Sequence, residues 1–162
     1  LQAAVYARKD PDFTIMARID SICTHGIDDA IKRGNIFHEA GADVIFIEAP
    51  ESIEQMKRIS KEVKAPKLIN QIPGGKTPVL HPKQLEEMGF NLIFYPTGCI
   101  CTIASALTKF FNDFYKTLDI NNFSDDCMMD YQELFQLADL NKIRDNEAKF
   151  YNDAKEIVKK FN

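Results

Sequence analysis

The chain has little of what would commit it to a membrane, a nucleic acid or an oxidising compartment. No apolar run approaches the roughly 20 residues needed to cross a bilayer, and the first residues lack the charged-then-apolar pattern of a secretion signal. Basic residues are in the minority: 20 Lys and Arg stand against 24 Asp and Glu, for a net charge of −4. No basic cluster is interleaved with aromatics, which disfavours DNA or RNA as a partner. The four cysteines at 23, 99, 101 and 127 form neither a CxxC pair nor a zinc-type Cys/His spacing, and a chain of 162 residues needs no disulfide staple. They read as reduced thiols in structural roles, and the chain reads as cytoplasmic, with no membrane contact. A Walker loop is also missing, because GxxxxGK[ST] does not occur.

What is present is an ordinary globular composition, 45% hydrophobic and 27% charged, enough for one core. The segment "LQAAVYARKD" reads as the last turns of an amphipathic helix stopped by Pro11, and Leu1 is not a methionine, so the expectation is a piece of a longer chain. After Pro11 strands and helices alternate. Strands are predicted at Asp12–Arg18, Asp43–Glu48, Lys67–Asn70 and Leu92–Tyr95, and helices at Ile27–Ala40, Ser52–Val63, Pro82–Met88 and Ile100 to about Leu118. Gly41 and Gly89 follow two of these helices, Ser52 caps one, and Pro82 sits at the first position of another.

Four βα units imply a parallel sheet covered on both faces. They fit either a small open α/β sheet or the second half of a (βα)8 TIM barrel, and the N-terminal helix favours the half-barrel. The expected domains are therefore residues 1–119, the C-terminal half of the barrel, and 120–162, a polar linker followed by a helical tail at Tyr131–Ala138 and Lys142–Lys160. The aromatics Tyr131, Phe135, Phe150 and Tyr151 suit that tail to capping the barrel or packing on another subunit.

Three of the strands end on a polar side chain: Arg18 closes "TIMAR", Glu48 closes "VIFIE" and Asn70 closes "KLIN". Parallel α/β sheets present their chemistry at these carboxyl ends. A guanidinium grips a carboxylate with two parallel hydrogen bonds, although Arg18 has Asp20 and Glu48 as alternative partners. Glu48 suits a general acid or base, a holder of metal-bound water, or an orienter of Arg18. Asn70 offers both a donor and an acceptor. In the turn "QIPGGKTPVL", Gly74 and Gly75 permit close backbone approach to a ligand or a moving lid, Lys76 adds positive charge, and Pro78 stiffens the exit.

With these residues in view, "FTIMARIDSICTHGIDDAIKRGNIFHEAGADVIFIEAPESIEQMKRISKEV", "INQIPGGKTPVL" and "LEEMGFNLIFYP" resemble the second half of the isocitrate lyase and phosphoenolpyruvate mutase superfamily. "MMDYQELFQLADLNKIRDNEAKFY" resembles the tail of its smaller members. The resemblance implies a (βα)8 barrel, usually in a homo-tetramer with an exchanged C-terminal helix, and Mg2+-dependent chemistry on 2-oxo or 2-hydroxy di- or tricarboxylates through a pyruvate-type enolate. By position, Arg18 matches the arginine that binds the substrate carboxylate, Glu48 the glutamate near metal and substrate, and Asn70 the residue opening the substrate-facing loop.

"GGKTP" is similar to dimethylmalate lyase-like and oxaloacetate-acting members more than to the phosphonomutases. Ile19 stands where relatives read Thr, and Cys101 where methylisocitrate lyases carry a substrate-binding arginine, which makes a tricarboxylate substrate less expected. The family's metal ligands and reactive cysteine precede the residues of this chain, so no metal ligand is assigned and this chain alone is expected to be inactive. The alternatives are an oxaloacetate hydrolase or decarboxylase, a phosphonomutase-type member, and a non-catalytic half-barrel associating through its edges and tail.

Overall fold

The computed structural model describes residues 1–119 and 128–161. Its elements run α1 (Gln2–Ala7), β1 (Met16–Ile19), α2 (Ile22–Glu39), β2 (Val44–Ile47), α3 (Ile53–Glu62), β3 (Lys67–Asn70), α4 (Pro82–Met88), β4 (Leu92–Phe94), α5 (Gly98–Thr117), α6 (Tyr131–Leu137) and α7 (Leu140–Lys159). The strands form one parallel sheet in the order β1-β2-β3-β4, so the α/β class and the four βα units stand as read. Two compact units are distinguished, Leu1–Cys101 and Thr102–Asn162. Among the described residues no helix is long and apolar enough to cross a membrane.

The first unit holds its main core between the sheet and the helices. Ile45, Met56, Ile69 and Leu85 are among its fully buried side chains, and each such side chain contributes about 1.5–3 kcal/mol relative to exposure. Side chains cap the starts of α3 and α4. Ser52 Oγ accepts from Gln55 N–H at 3.2 Å, and at α4 His81 and Gln84 bond reciprocally in a capping box with Pro82 at the start. Asn35 on α2 braces the end of α3, donating to Glu62 O and accepting from Lys64 N–H, both at 3.0 Å.

Three expectations need correction. The first strand begins at Met16 rather than Asp12. Asp10 and Asp43 carboxylates take the Asp12 and Ile15 N–H groups at 2.9 and 2.8 Å, holding that stretch as a loop instead of a ladder. A turn of helix, Ile22–His25, precedes the expected start at Ile27, and the break between them is Gly26 (φ 82°, ψ 178°). The sheet is covered on both faces only at its centre: β2 is buried throughout, whereas Met16, Leu92 and Phe94 on the edge strands are exposed.

In the second unit, α5 carries an aromatic ladder in which Phe110 stacks on Phe114 and Phe111 on Tyr115. Asp130 Oδ1 caps α6 by accepting from Gln132 N–H at 2.7 Å, and Tyr131 packs on Phe135 with ring centroids 4.3 Å apart. Most of the expected linker lies outside the described residues, as does Cys127. The other cysteines, 23, 99 and 101, are free and exposed, so they are surface thiols rather than packing groups of the core.

Candidate active site at the carboxyl ends of the strands

Strand register builds the site. Arg18 pairs with Phe46 and Phe46 with Leu68, so these three share one row on the face away from the helices. Side chains alternate along a strand, which places Glu48 and Asn70 on that same face two residues further toward the carboxyl ends. Val44, Phe46 and Leu68 form a small apolar cluster beneath them. Phe46 and Leu68, one row down, give the Glu48 and Asn70 side chains an apolar floor.

The structure brings Arg18, Glu48 and Asn70 together. Asn70 Nδ2 donates to Glu48 Oε2 at 3.0 Å, and Arg18 Nη2 stands 3.5 Å from the same oxygen. The Arg18 guanidinium also donates to Asp20 through Nε and Nη2 at 2.9–3.1 Å and lies over the Phe46 ring, 5.1 Å from its centroid. Both partners named from the sequence are therefore used at once. The Asp20 hydrogen bonds, followed by the charge of Glu48, raise the guanidinium above its already high ordinary value despite some opposing desolvation. It is a permanent cation with Nη1 left over for a ligand.

Two atoms at this mouth are in unusual states. Asn70 Oδ1 is buried and has no hydrogen-bond partner among the described residues. Ala49, directly after Glu48, has φ 56°, a left-handed backbone that costs a non-glycine residue about 1–3 kcal/mol. Glu48 N–H is pinned to Ile19 O at 2.9 Å, so the carboxylate leaves the sheet at a fixed point just before the strained turn.

Gly74 and Gly75 make no hydrogen bond or ion pair with these three side chains. They lie in the exposed tip of the turn after β3, with Gly74 at φ 79° and Gly75 N–H closing onto Ile72 O at 2.9 Å. A Cβ on Gly75 would stand 3.0 Å from Ile72 O, so glycine keeps that tip tight. Lys76 pairs with Glu51 at 3.3 Å, joining the turn after β3 to the one after β2. Gln71, Phe46 and Ala49 drew no attention in the sequence. Only Gln71 left a trace there, as an amide immediately after a strand end.

Among the described residues no group of three or more His, Cys, Asp or Glu side chains is placed to hold a metal ion. The chain's own chemistry is one guanidinium, one shielded carboxylate and one amide with a free buried oxygen, a set suited to a carboxylate that carries a neighbouring hydroxyl or carbonyl.

Comparison with known proteins identifies the family of the chain. The chain is 41% identical over 150 residues to 2,3-dimethylmalate lyase of Eubacterium barkeri, covering 93% of this chain and 52% of that protein. It is 35% identical over 152 residues to the petal death protein of Dianthus caryophyllus, covering 94% and 48%. A crystal structure of 2,3-dimethylmalate lyase, a PEP mutase/isocitrate lyase superfamily member, superposes with a TM-score of 0.82 at 28% identity, over 91% of this chain and 52% of that one. The chain thus spans about half the length of the curated relatives it matches. Residues 1–114, which carry all four strands and the Arg18, Glu48 and Asn70 cluster, match the phosphoenolpyruvate phosphomutase model, and the chain belongs to that family, within the isocitrate lyase and PEP mutase superfamily.

Proposed function

We propose that this chain supplies the carboxylate-binding side of a carbon–carbon lyase acting on a 2-hydroxy dicarboxylate, with a dimethylmalate-type substrate as the first choice. The observation that carries the reading is the joined cluster of Arg18, Glu48 and Asn70 at three adjacent strand ends, with Asn70 Oδ1 buried and unpartnered. The identity to 2,3-dimethylmalate lyase, at 41%, supports the substrate class.

In this reading Arg18 holds the carboxylate beside the hydroxyl carbon through charge-assisted hydrogen bonds. Asn70 Oδ1 accepts from the substrate hydroxyl in the ground state and orients it. Glu48 takes the hydroxyl proton as the C–O bond becomes a carbonyl and the adjacent C–C bond breaks. The electron pair of that bond passes to the carbon next to the second carboxylate, which then picks up a proton. With an oxaloacetate-type substrate the pair released by C–C cleavage would instead produce a pyruvate-type enolate. With the dimethylmalate-type substrate the growing charge spreads onto the oxygens of the second carboxylate while Arg18 fixes the first. With the oxaloacetate-type substrate it grows on the enolate oxygen nearest the guanidinium, where preorganised charge lowers the barrier most. Magnesium, implied by the family resemblance, would add Lewis-acid polarisation of those oxygens when supplied with its ligands.

The test is pyruvate release by the full-length protein in magnesium buffer from 2,3-dimethylmalate, 2-methylisocitrate and oxaloacetate. Pyruvate from dimethylmalate is the expected result. Turnover of oxaloacetate alone, to pyruvate and carbon dioxide or to oxalate and acetate, would move the assignment to the oxaloacetate-acting members, and no turnover of any of the three by a folded protein would overturn it.

A further inference from the structure

Gln71 is wholly buried, 0% exposed, and its amide is fully engaged. Nε2 donates to Asn70 O at 3.0 Å and to Pro78 O at 3.4 Å, and Oε1 accepts from Leu80 N–H at 2.7 Å. Its own N–H donates to Phe94 O, at the end of β4, at 2.8 Å. One side chain therefore ties the strand end that bears Asn70 to the return leg of the glycine turn, while its backbone anchors the same point to the neighbouring strand. Burial alone does not require an amide here, since a leucine of similar volume would fill the space. What an amide adds is direction.

We infer that Gln71 is a positioning residue for the mouth. By fixing the Asn70 carbonyl it fixes the Asn70 peptide, and with it the aim of Nδ2 at Glu48 and of the unpartnered Oδ1 at a ligand hydroxyl. By holding Pro78 O and Leu80 N–H it ties the return leg of the turn to the strand end and closes the loop that carries the Gly74–Gly75 tip. The inference rests on the carboxylate-site reading for its ligand, but not for its geometry.

The experiment compares full-length wild type, Gln71→Leu and Gln71→Asn, with Asn35→Ala as a control that removes a structural brace on α2 without touching the mouth. Gln71→Asn keeps an amide but draws it back by one methylene, so it carries the test if Gln71→Leu fails to fold. The first readout needs no ligand: the side-chain amide signals of Asn70 in an NMR spectrum, and their exchange with water. Both Gln71 variants are expected to shift these signals and speed their exchange, and Asn35→Ala to leave them in place.

The second readout is the affinity for oxalate, a planar dicarboxylate that mimics an enolate. It is expected to weaken by about tenfold to a hundredfold in the Gln71 variants and to hold in Asn35→Ala. Unchanged Asn70 signals together with unchanged oxalate affinity, with only a lower melting temperature, would make Gln71 a loop brace and overturn the inference. A wild type that binds no oxalate would count against the carboxylate reading, while the Asn70 signals would still decide the role of Gln71.

Discussion

Arg18 is held on three sides at once: by Asp20, by Glu48 and by the face of Phe46. A lysine has no planar face to lie on Phe46 and no fork to share between two carboxylates while keeping a donor free. The polar residues at the strand ends were legible in the sequence because each interrupts an apolar run. Phe46 and Gln71 were not, because their roles are set by register and by partners distant in sequence, such as Arg18 for Phe46 and Leu80 and Phe94 for Gln71. Another residue invisible as a motif is Asp43, which gathers Arg8 Nη1 at 2.7 Å and Ile15 N–H at 2.8 Å. The Ile15 hydrogen bond, and after it the Arg8 charge, hold the Asp43 carboxyl below its ordinary value of 3.8 despite opposing desolvation. A carboxyl lowered in the folded state stabilises the fold above its unfolded value and loses that contribution as pH falls through the folded one. Asp43→Asn is therefore expected to lower the melting temperature near neutral pH, with the gap to wild type starting to close as pH falls below about 4 and vanishing only below the folded value. A constant offset across the whole range would contradict this.

At the scale of elements, the punctuation marks were the legible part. Ser52, Pro82 and Gly89 stand at helix ends as their chemistry requires. The misplaced boundaries, β1 and α2, are those where side-chain hydrogen bonds or a glycine break replace periodicity, and a pattern of apolar spacing carries no record of either. Gly89 gives the sharpest prediction. It ends α4 at φ 103°, and a Cβ there would sit 2.7 Å from Ser60 Oγ, which itself donates to Met88 O. Gly89→Ala combines left-handed strain with that clash, and urea unfolding is expected to show a loss of about 1–3 kcal/mol. An unchanged midpoint would mean that α4 and Ser60 shift apart at no cost.

At the scale of the molecule, the sheet has two unlike faces. The helix face is a closed core, and the other carries the polar cluster above Phe46 and Leu68 with apolar residues exposed on both edge strands. Half of a (βα)8 fold shows this asymmetry because the second face is the barrel interior. On that second face Arg18, Glu48 and Asn70 stand together, and no metal-type cluster is found among the described residues. The central claim is that Arg18 grips a substrate carboxylate. The most direct test is kcat/KM of the full-length protein with Arg18→Lys, measured on whichever of the three acids wild type turns over. Loss of two-point binding at a cost of about 2–4 kcal/mol predicts a fall of about thirtyfold to a thousandfold with the fold intact. Activity retained at the wild-type level would contradict the account.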